Sequence, residues 1–309
     1  MAGVVVVAYP DDEHGSALVH ELLGRHIRLL RCSLAEVPTS TMTWELGGAF
    51  AINGTSLDGG PWSGIWRRPG HPTMSAIDPR YANFATAESR DAFRGGLLAS
   101  PIRWLNEPGA LWRAEHKLVQ LEVAATLGIR VPRTVVTSDP EVASRFLNRE
   151  PRVVVKAVRY GLVSVEPEPA VAWTSRVSAV ESLDLGGIPI LLQQEIEARE
   201  HLRIVTIGTD AFACRLETAD LDWRSRPEND EHWDSLTSRA VPAGLFQQAV
   251  HLAEALHLNY TSQDWIVDPD GMPVFLEANP NGQWLFLDLP HSGSITAAIA
   301  TWLIQQVEA

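Results

Sequence analysis

The sequence predicts an α/β protein of three packed units: an N-terminal α/β unit over residues 1–110, a central α/β unit over 111–192 and a mostly antiparallel C-terminal sheet unit over 193–309. Three observations point there. The chain has 309 residues, more than one typical domain and fewer than three. Short β-branched runs alternate with helical periodicity through residue 158, and from residue 190 onward strand patterns follow one another and end in a hairpin signature.

In the first unit the apolar run Val4 to Ala8 reads as a strand, Gly15 to Arg25 as a helix and Ile27 to Cys32 as a second strand, with shorter strands around Met42 to Asn53. A strand from Gly64 to Arg68 ends in Arg-Arg-Pro-Gly. A helix follows from about Arg80 to Ala99, with Phe84, Ala87, Phe93 and Leu97 as its expected apolar stripe. The rhythm is Rossmann-like, but no GxGxxG is present, and the acidic turn Tyr9-Pro10-Asp11-Asp12-Glu13 would repel a pyrophosphate. The second unit reads as a helix from Arg113 to Leu127 closed by Gly128, a strand from Arg133 to Val136, a helix from Pro140 to Leu147 and a strand from Arg152 to Val158. The strand Ile190 to Ile196, at the last boundary, is read as the start of the third unit. Antiparallel strands Leu202 to Gly208 and Ala211 to Glu217 come next, then a polar stretch to Leu236, a helix from Ala243 to Leu256, a hairpin from Asn259 to Asn279 and a closing helix from Ser294 to Gln306.

Composition narrows the function classes. Hydrophobic residues make up 45% of the chain and charged residues 20%, with no apolar run long enough for a membrane helix, so a soluble, cytoplasmic protein is expected. A formal charge of -13 argues against a broad nucleic-acid surface. Cys32 and Cys214 lie far apart with no His or Cys at ligand spacing, so both are expected in the core. Of the 25 basic residues only Lys117 and Lys156 are lysines. The compact point charge of a lysine suits gripping a single phosphate oxygen where the planar fork of an arginine does not, and compositional drift toward arginine is the alternative account.

The densest local signal is SQDWIVDPDGMPVFLEANPNGQW. Glu277 and Asn279 are two apart and share a strand face. A four-residue loop from Pro269 to Met272, with Asp268 paired to Pro273, sets Asp264 opposite Glu277. Two carboxylates and an amide oxygen then converge, hard ligands suited to Mg2+. Their neighbours Trp265, Ile266, Val274, Phe275 and Leu276 are apolar, so a merely solvated face is disfavoured.

Over residues 110–309 the chain resembles the ATP-grasp enzymes. HKLVQLEVAATLGIRVPRT resembles the first lysine helix of that superfamily, VVVKAV its second lysine strand, LLQQEIEAREHLRIVTIG its hinge and arginine strand, and DWIVDPDG with FLEANPNG its magnesium hairpin. The resemblance implies an ATP-grasp fold behind a Rossmann-like pre-ATP-grasp domain, with ATP and Mg2+ as cofactors. It implies Lys117 and Lys156 on the nucleotide phosphates, Gln194, Glu195 and Ile196 around adenine, and Glu200 on the ribose. Arg203 would face the γ-phosphate and the developing acyl phosphate, acting catalytically with Lys156, and Asp264, Glu277 and Asn279 would hold the metal.

The longer string LEANPNGQW, the later Asp222-Trp223-Arg224 and the N-terminal IWRRPG resemble the microviridin-type peptide maturases within that superfamily. That likeness implies a homodimer acting on a ribosomal precursor peptide, with a leader and an acidic core. Asp or Glu side chains would be activated as acyl phosphates and captured by Ser or Thr hydroxyls as esters, or by Lys as amides. Arg215, Asp222 and Arg224, with Arg226 nearby, are the expected peptide contacts. An acyl phosphate hydrolyses easily, so a closing segment is required, and 159–169 with Gly161 as hinge or 221–233 are the candidates. An ATP-grasp ligase joining an amino acid to a peptide or small molecule, and a non-catalytic nucleotide- or peptide-binding protein, are the competing readings.

Overall fold

The structure is a computed structural model that describes residues 2–48, 50–72, 74, 77–159, 162–163, 170–171, 173–179, 186–218, 220–226 and 232–308. In the N-terminal unit, β1 (Gly3–Val7), α1 (Glu13–Leu23), β2 (Arg28–Cys32), β3 (Met42–Trp44), β4 (Phe50–Ile52), β5 (Thr55–Ser56), β6 (Trp62–Trp66), α2 (Ala82–Ala99) and β7 (Ile102–Trp104) follow in order. The main sheet is parallel in the order β2-β1-β6-β7, and β3, β4 and β5 form a separate antiparallel meander. Every residue of β1 is buried, as expected of a central parallel strand covered on both faces. Asp12, in the acidic turn, caps α1 by accepting the Gly15 N–H at 2.8 Å. The expected stripe of α2 is half right: Phe93 and Leu97 are buried, whereas Phe84 is 66% exposed, because the buried face begins only in the helix's second half.

The central unit comprises α3 (Pro108–Ala114), α4 (Lys117–Thr126), β8 (Thr134–Thr137), α5 (Pro140–Arg149), β9 (Val153–Lys156), β10 (Leu162–Val163), β11 (Ala170–Val171), β12 (Ser175–Val177) and β13 (Ile190–Gln194). Two expectations are corrected here. The strand at Ile190 does not open the third unit: β13 lies inside the central antiparallel sheet, ordered β12-β9-β13-β8. The single helix expected from Arg113 to Leu127 is two helices, broken at Glu115 and His116. Buried Gln120 stabilises the break. Its Nε2 donates to the Ala114 carbonyl at the end of α3 and to Ala278 O, both at 2.6 Å, while its Oε1 accepts the Ala278 N–H at 2.9 Å. A carbonyl orphaned by the helix end is thereby satisfied, and α4 is fastened to the strand that carries Glu277. Gly128, in the left-handed conformation at φ +72°, closes α4 as expected.

The C-terminal unit holds β14 (Glu200–Ile207), β15 (Asp210–Leu216), β16 (Asp234–Leu236), α6 (Leu245–Ala255), β17 (Tyr260–Val267), β18 (Pro273–Asn279), α7 (Leu285–Asp288) and α8 (Ser294–Glu308). Its sheet is antiparallel, ordered β16-β15-β14-β17-β18. One face, with Leu202, Ile204, Trp265 and Phe275, packs on Leu245, Ala249 and Leu252 of α6. The other face buries Val205, Ile207, Cys214 and Leu216 in a second core and leaves Arg203, Asp264 and Glu277 for the site. The closing helix α8 crosses back to the N-terminal sheet, where Ile299 and Leu303 share a core with Val4, Val6 and Ile65. Ser63 donates to Leu303 O at 2.7 Å across that seam. The first and last units therefore share a core. Among the described residues no helix is long and apolar enough to cross a membrane.

Candidate active site

The pairing of β17 with β18 sets the centre of the site. Asp264 lies opposite Glu277 and Ser262 opposite Asn279, so the three expected metal-binding side chains share one face. The register arises differently from the expected one. Val267, not Asp268, pairs with Pro273, and a bulge between Asp264 and Trp265 then restores the Asp264–Glu277 pair. The two departures cancel. Asp268 is instead the turn anchor, accepting the Met272 N–H at 2.8 Å and the Arg130 guanidinium.

Across β17, Arg203 pairs in register with Asp264. Its guanidinium donates to the Asp264 carboxylate and, through Nε, to Ser262 Oγ at 2.8 Å, and it stacks 5.9 Å from the Trp223 ring. Lys117, the first residue of α4, reaches Glu277 Oε2 at 3.1 Å and Ala157 O at 3.4 Å. Arg224 Nη1 stands 3.8 Å from Glu277 Oε1. Burial alone would raise the Glu277 pKa, but Lys117, Arg224 and Lys156 together hold it well below the ordinary carboxylate range. Asp264 moves upward, driven first by burial and further by the like charge of Glu277, against the pull of Arg203. Burial lowers the Lys156 ammonium from 10.5 to about 8, Glu277 opposing the shift and Lys117 and Arg224 adding to it.

These observations bear on the metal. The buried Asp264 and the half-buried Glu277 carboxylates face one another and Asp264 resists ionising, so a dication between them would relieve a like-charge conflict. Asn279, whose Nδ2 donates to Glu277 Oε1 at 3.3 Å, would complete a hard donor set. Among the described residues no group of three His, Cys, Asp or Glu is gathered for a metal, so the amide is needed as third donor. The residues present fit Mg2+.

A cleft of about 1310 Å³ opens over this face. Nine lysine and arginine side chains line it against four carboxylates among the described residues, a cationic interior in a chain of formal charge -13. It brings Lys117, Lys156, Arg203, Asp222, Arg224, Asp264, Glu277 and Asn279 together. Gln194, Glu195, Ile196, Glu200 and Arg215 are not among its described lining residues. Glu195 is held by Arg176 through two bonds of 2.9 Å. Glu200 pairs with Arg199, and Arg215 lies among Glu200, Glu217 and Asp234, where its charge is already answered. Asp222 caps a short turn at Trp223–Ser225, accepts Arg224 Nε and Nη2 at 2.9 Å each, and accepts the Thr174 hydroxyl at 3.1 Å. Because Arg224 also faces Glu277, the expected peptide contact and the expected metal site are electrostatically joined there. Of the expected closing segments, 221–226 is described and largely lines the cleft, whereas Gly161 and most of 159–169 lie outside the described residues, as does 227–231.

Two residues escaped the sequence reading. Gln120 is one. Arg67 is the other, its side chain 0% exposed at the end of β6. Its Nη1 donates to Asn281 O and Oδ1 at 3.1 Å each and to Gly282 O at 3.0 Å; Nε points to Asp12 at 3.4 Å, and the group stacks 4.7 Å from Trp284. This ties the N-terminal sheet to the loop after Asn279. Gly282 is required there, since a Cβ would come within 2.5 Å of the Ser262 Cβ. His14 supports the same loop as a neutral acceptor, its Nε2 taking the Trp284 N–H at 3.1 Å, with burial and then Arg67 pushing its pKa down to about 3. The only hint in the sequence was the run Arg67-Arg68-Pro69-Gly70 after a strand.

Among solved structures, the chain is similar to a Chryseobacterium gregarium RiPP-associated ATP-grasp ligase in complex with ADP and a leader and core peptide. The TM-score is 0.90 at 24% identity, over 99% of this chain and 97% of that one. The chain has the ATP-grasp fold. It is also similar to macrocyclase MdnC bound with precursor peptide MdnA from Microcystis aeruginosa, with a TM-score of 0.86 at 24% identity over 98% and 99% of the two chains. A third likeness is to the ATP-grasp ligase PsnB complexed with minimal precursor, Mg and ADP, with a TM-score of 0.79 at 21% identity over 99% and 98%. No protein-family model matches the chain, and no curated protein matches it.

Proposed function

We propose that the protein is an ATP-dependent ligase that activates Asp or Glu side chains of a ribosomal precursor peptide as acyl phosphates and joins them to Ser or Thr hydroxyls, or to Lys amines. The observation that carries this reading is the cationic cleft in which Lys117, Lys156 and Arg203 surround the facing carboxylates Asp264 and Glu277. The cleft exceeds the 300–1,000 Å³ of an ordinary small-molecule pocket, leaving room for a nucleotide and a peptide segment together. The end-to-end likeness to structures holding leader and core peptides supports a peptide as the second substrate.

A carboxylate and a hydroxyl do not condense usefully in water, so the acid must first gain a phosphate leaving group. Bound Mg2+, held by Asp264, Glu277 and Asn279, would supply charge neutralisation on the phosphates. The chain's own cations do the rest. Lys117, paired with Glu277 in the free protein, and Lys156 take phosphate oxygens. Arg203, fixed by Ser262 and Asp264, holds its guanidinium ready for the oxygens passed between nucleotide and carboxylate. Asp222 and Arg224 orient the peptide at the edge of that charge field. In this reading Gln194, Glu195 and Ile196 meet the adenine, and Glu200 the ribose, after the central and C-terminal sheets close on the nucleotide.

The deciding experiment incubates the pure protein with magnesium, ATP and the short acidic peptide encoded beside its gene, following the peptide mass. Loss of one water per bond formed, with ATP consumed, is the expected result. Mass gain by an added amine, less water, would replace this reading with an amino-acid ligase. No ATP turnover with any acceptor would replace it with a binding protein.

A further inference from the structure

The N-terminal unit contributes a wall to the same cleft that the phosphate and metal residues do not use. In open parallel sheets, ligands bind beyond the carboxyl ends of the strands, where the strand order reverses. With the order β2-β1-β6-β7, that point lies between β1 and β6. The segment leaving β6 there is fixed by its backbone: Arg67 N–H to Val7 O at 2.9 Å, Tyr9 N–H to Arg68 O at 2.5 Å, Leu34 N–H to Pro69 O at 2.7 Å and Ser33 Oγ to Pro69 O at 2.8 Å. Arg67 turns inward and is answered by Asp12 and the 281–282 loop. Its neighbour Arg68 is exposed and lines the cleft.

Arg94, on α2, lines the same cleft, and its Nε is buried with no hydrogen-bond partner among the described residues. Among the described residues neither Arg68 nor Arg94 has a carboxylate partner. By contrast Lys117, Arg203, Arg224 and Arg226 are each ion-paired. A guanidinium whose Nε is cut off from water without a partner calls for an acceptor oxygen. Trp112, edge-on to Trp66 at 6.2 Å, adds an apolar surface, and His71 another polar one. The wall adjoins the metal hairpin through the Arg67 knot, only two residues beyond Asn279.

We infer that Arg68 and Arg94 form a carboxylate-binding subsite that seats acidic side chains of the peptide substrate other than the one being activated. The inference rests on the peptide-ligase reading above, and it divides the cleft: phosphates on Lys117, Lys156 and Arg203, peptide carboxylates on the β6–α2 wall. An acidic segment docked there would deliver a neighbouring carboxyl to the Arg203 side of the cleft.

The test uses the full chain with fluorescein-labelled hexaglutamate and hexaglutamine, read by anisotropy, and with labelled ADP and magnesium in parallel. Hexaglutamate should bind and hexaglutamine should not. Arg68→Gln and Arg94→Gln should each weaken hexaglutamate about tenfold, since each removes a charge-assisted contact. The double variant should weaken it about a hundredfold if the two act independently. ADP affinity should stay within about twofold, since neither residue is assigned to the phosphates. Arg68→Lys should retain most of the hexaglutamate affinity. Unchanged hexaglutamate binding in the double variant, or equal binding of hexaglutamine, overturns the assignment, as does an equal loss of ADP. If Arg94→Gln fails to fold, exposed Arg68 decides the matter alone. Failure of wild-type protein to bind ADP would count against the ATP-ligase reading and leave the peptide arms to judge this one.

Discussion

Replacing Lys156 by Met removes the ammonium and keeps an unbranched stem of similar length in the cleft. In the free protein, burial lowers this group from 10.5 to about 8, which corresponds to about 3 kcal/mol of bias against the charged form. Because the side chain is only half-buried, solvent relaxation reduces the recoverable part to about 1–3 kcal/mol. The folded pKa lies below the unfolded one, so the charge destabilises the fold below about pH 8, and the effect fades as pH rises toward 10.5, where both states lose the proton. Lys156→Met should therefore melt higher than the wild type at pH 7, by roughly 2–6 °C for a chain of this size, and the advantage should vanish near pH 10.5. Nucleotide should reverse the order. ADP with magnesium at about 100 Kd stabilises the wild type by about 2.7 kcal/mol, and most of that should be lost in the variant with its phosphate contact. Thermal melts of free and ADP-loaded protein at pH 7 and pH 10.5 measure all four quantities. A free variant melting at or below the wild type at pH 7, or one that keeps the full ADP shift, would refute the argument.

Asp264→Asn removes one of the facing carboxylates, and the magnesium concentration for half-maximal ATP consumption should rise at least about tenfold, checked by magnesium titration. Gln120→Leu leaves two carbonyls and one N–H without partners, so urea unfolding should show a loss of about 2–4 kcal/mol. Cys32 and Cys214 are pushed up to about 12, by burial first and then by Glu36 and Asp234 respectively. At pH 8 neither should react with a thiol reagent until denaturant is added, and prompt labelling of the native protein would contradict their burial.

How much of this was legible in the sequence depended on how far apart the partners lie. The hairpin carries its own register in a few residues, and Asp264 faces Glu277 as the spacing required. The route differed, because a bulge cannot be told from a shorter turn without seeing the twist of the strands. Lys117 and Lys156 stood out by rarity, yet nothing local announced that α3 ends at Ala114 and leaves Lys117 at a helix start. That break is held by Gln120 reaching a strand 158 residues away.

What the sequence determined alone was the set of local choices: strands where β-branched runs alternate, helices where caps and 3.6-residue stripes coincide, and one face of one hairpin bearing two carboxylates and an amide. Those follow from dihedral preference and periodicity, which act over a few residues. The tertiary structure alone decided which charges meet. It sent Arg215 among three carboxylates and away from the cleft, brought Arg224 to Glu277, and buried Arg67 under a loop more than two hundred residues along while leaving Arg68 beside it with no carboxylate partner among the described residues. A cation on a strand has no partner in its own sequence neighbourhood. Its role is set by desolvation and by carboxylates that only the packing of distant sheets brings within reach.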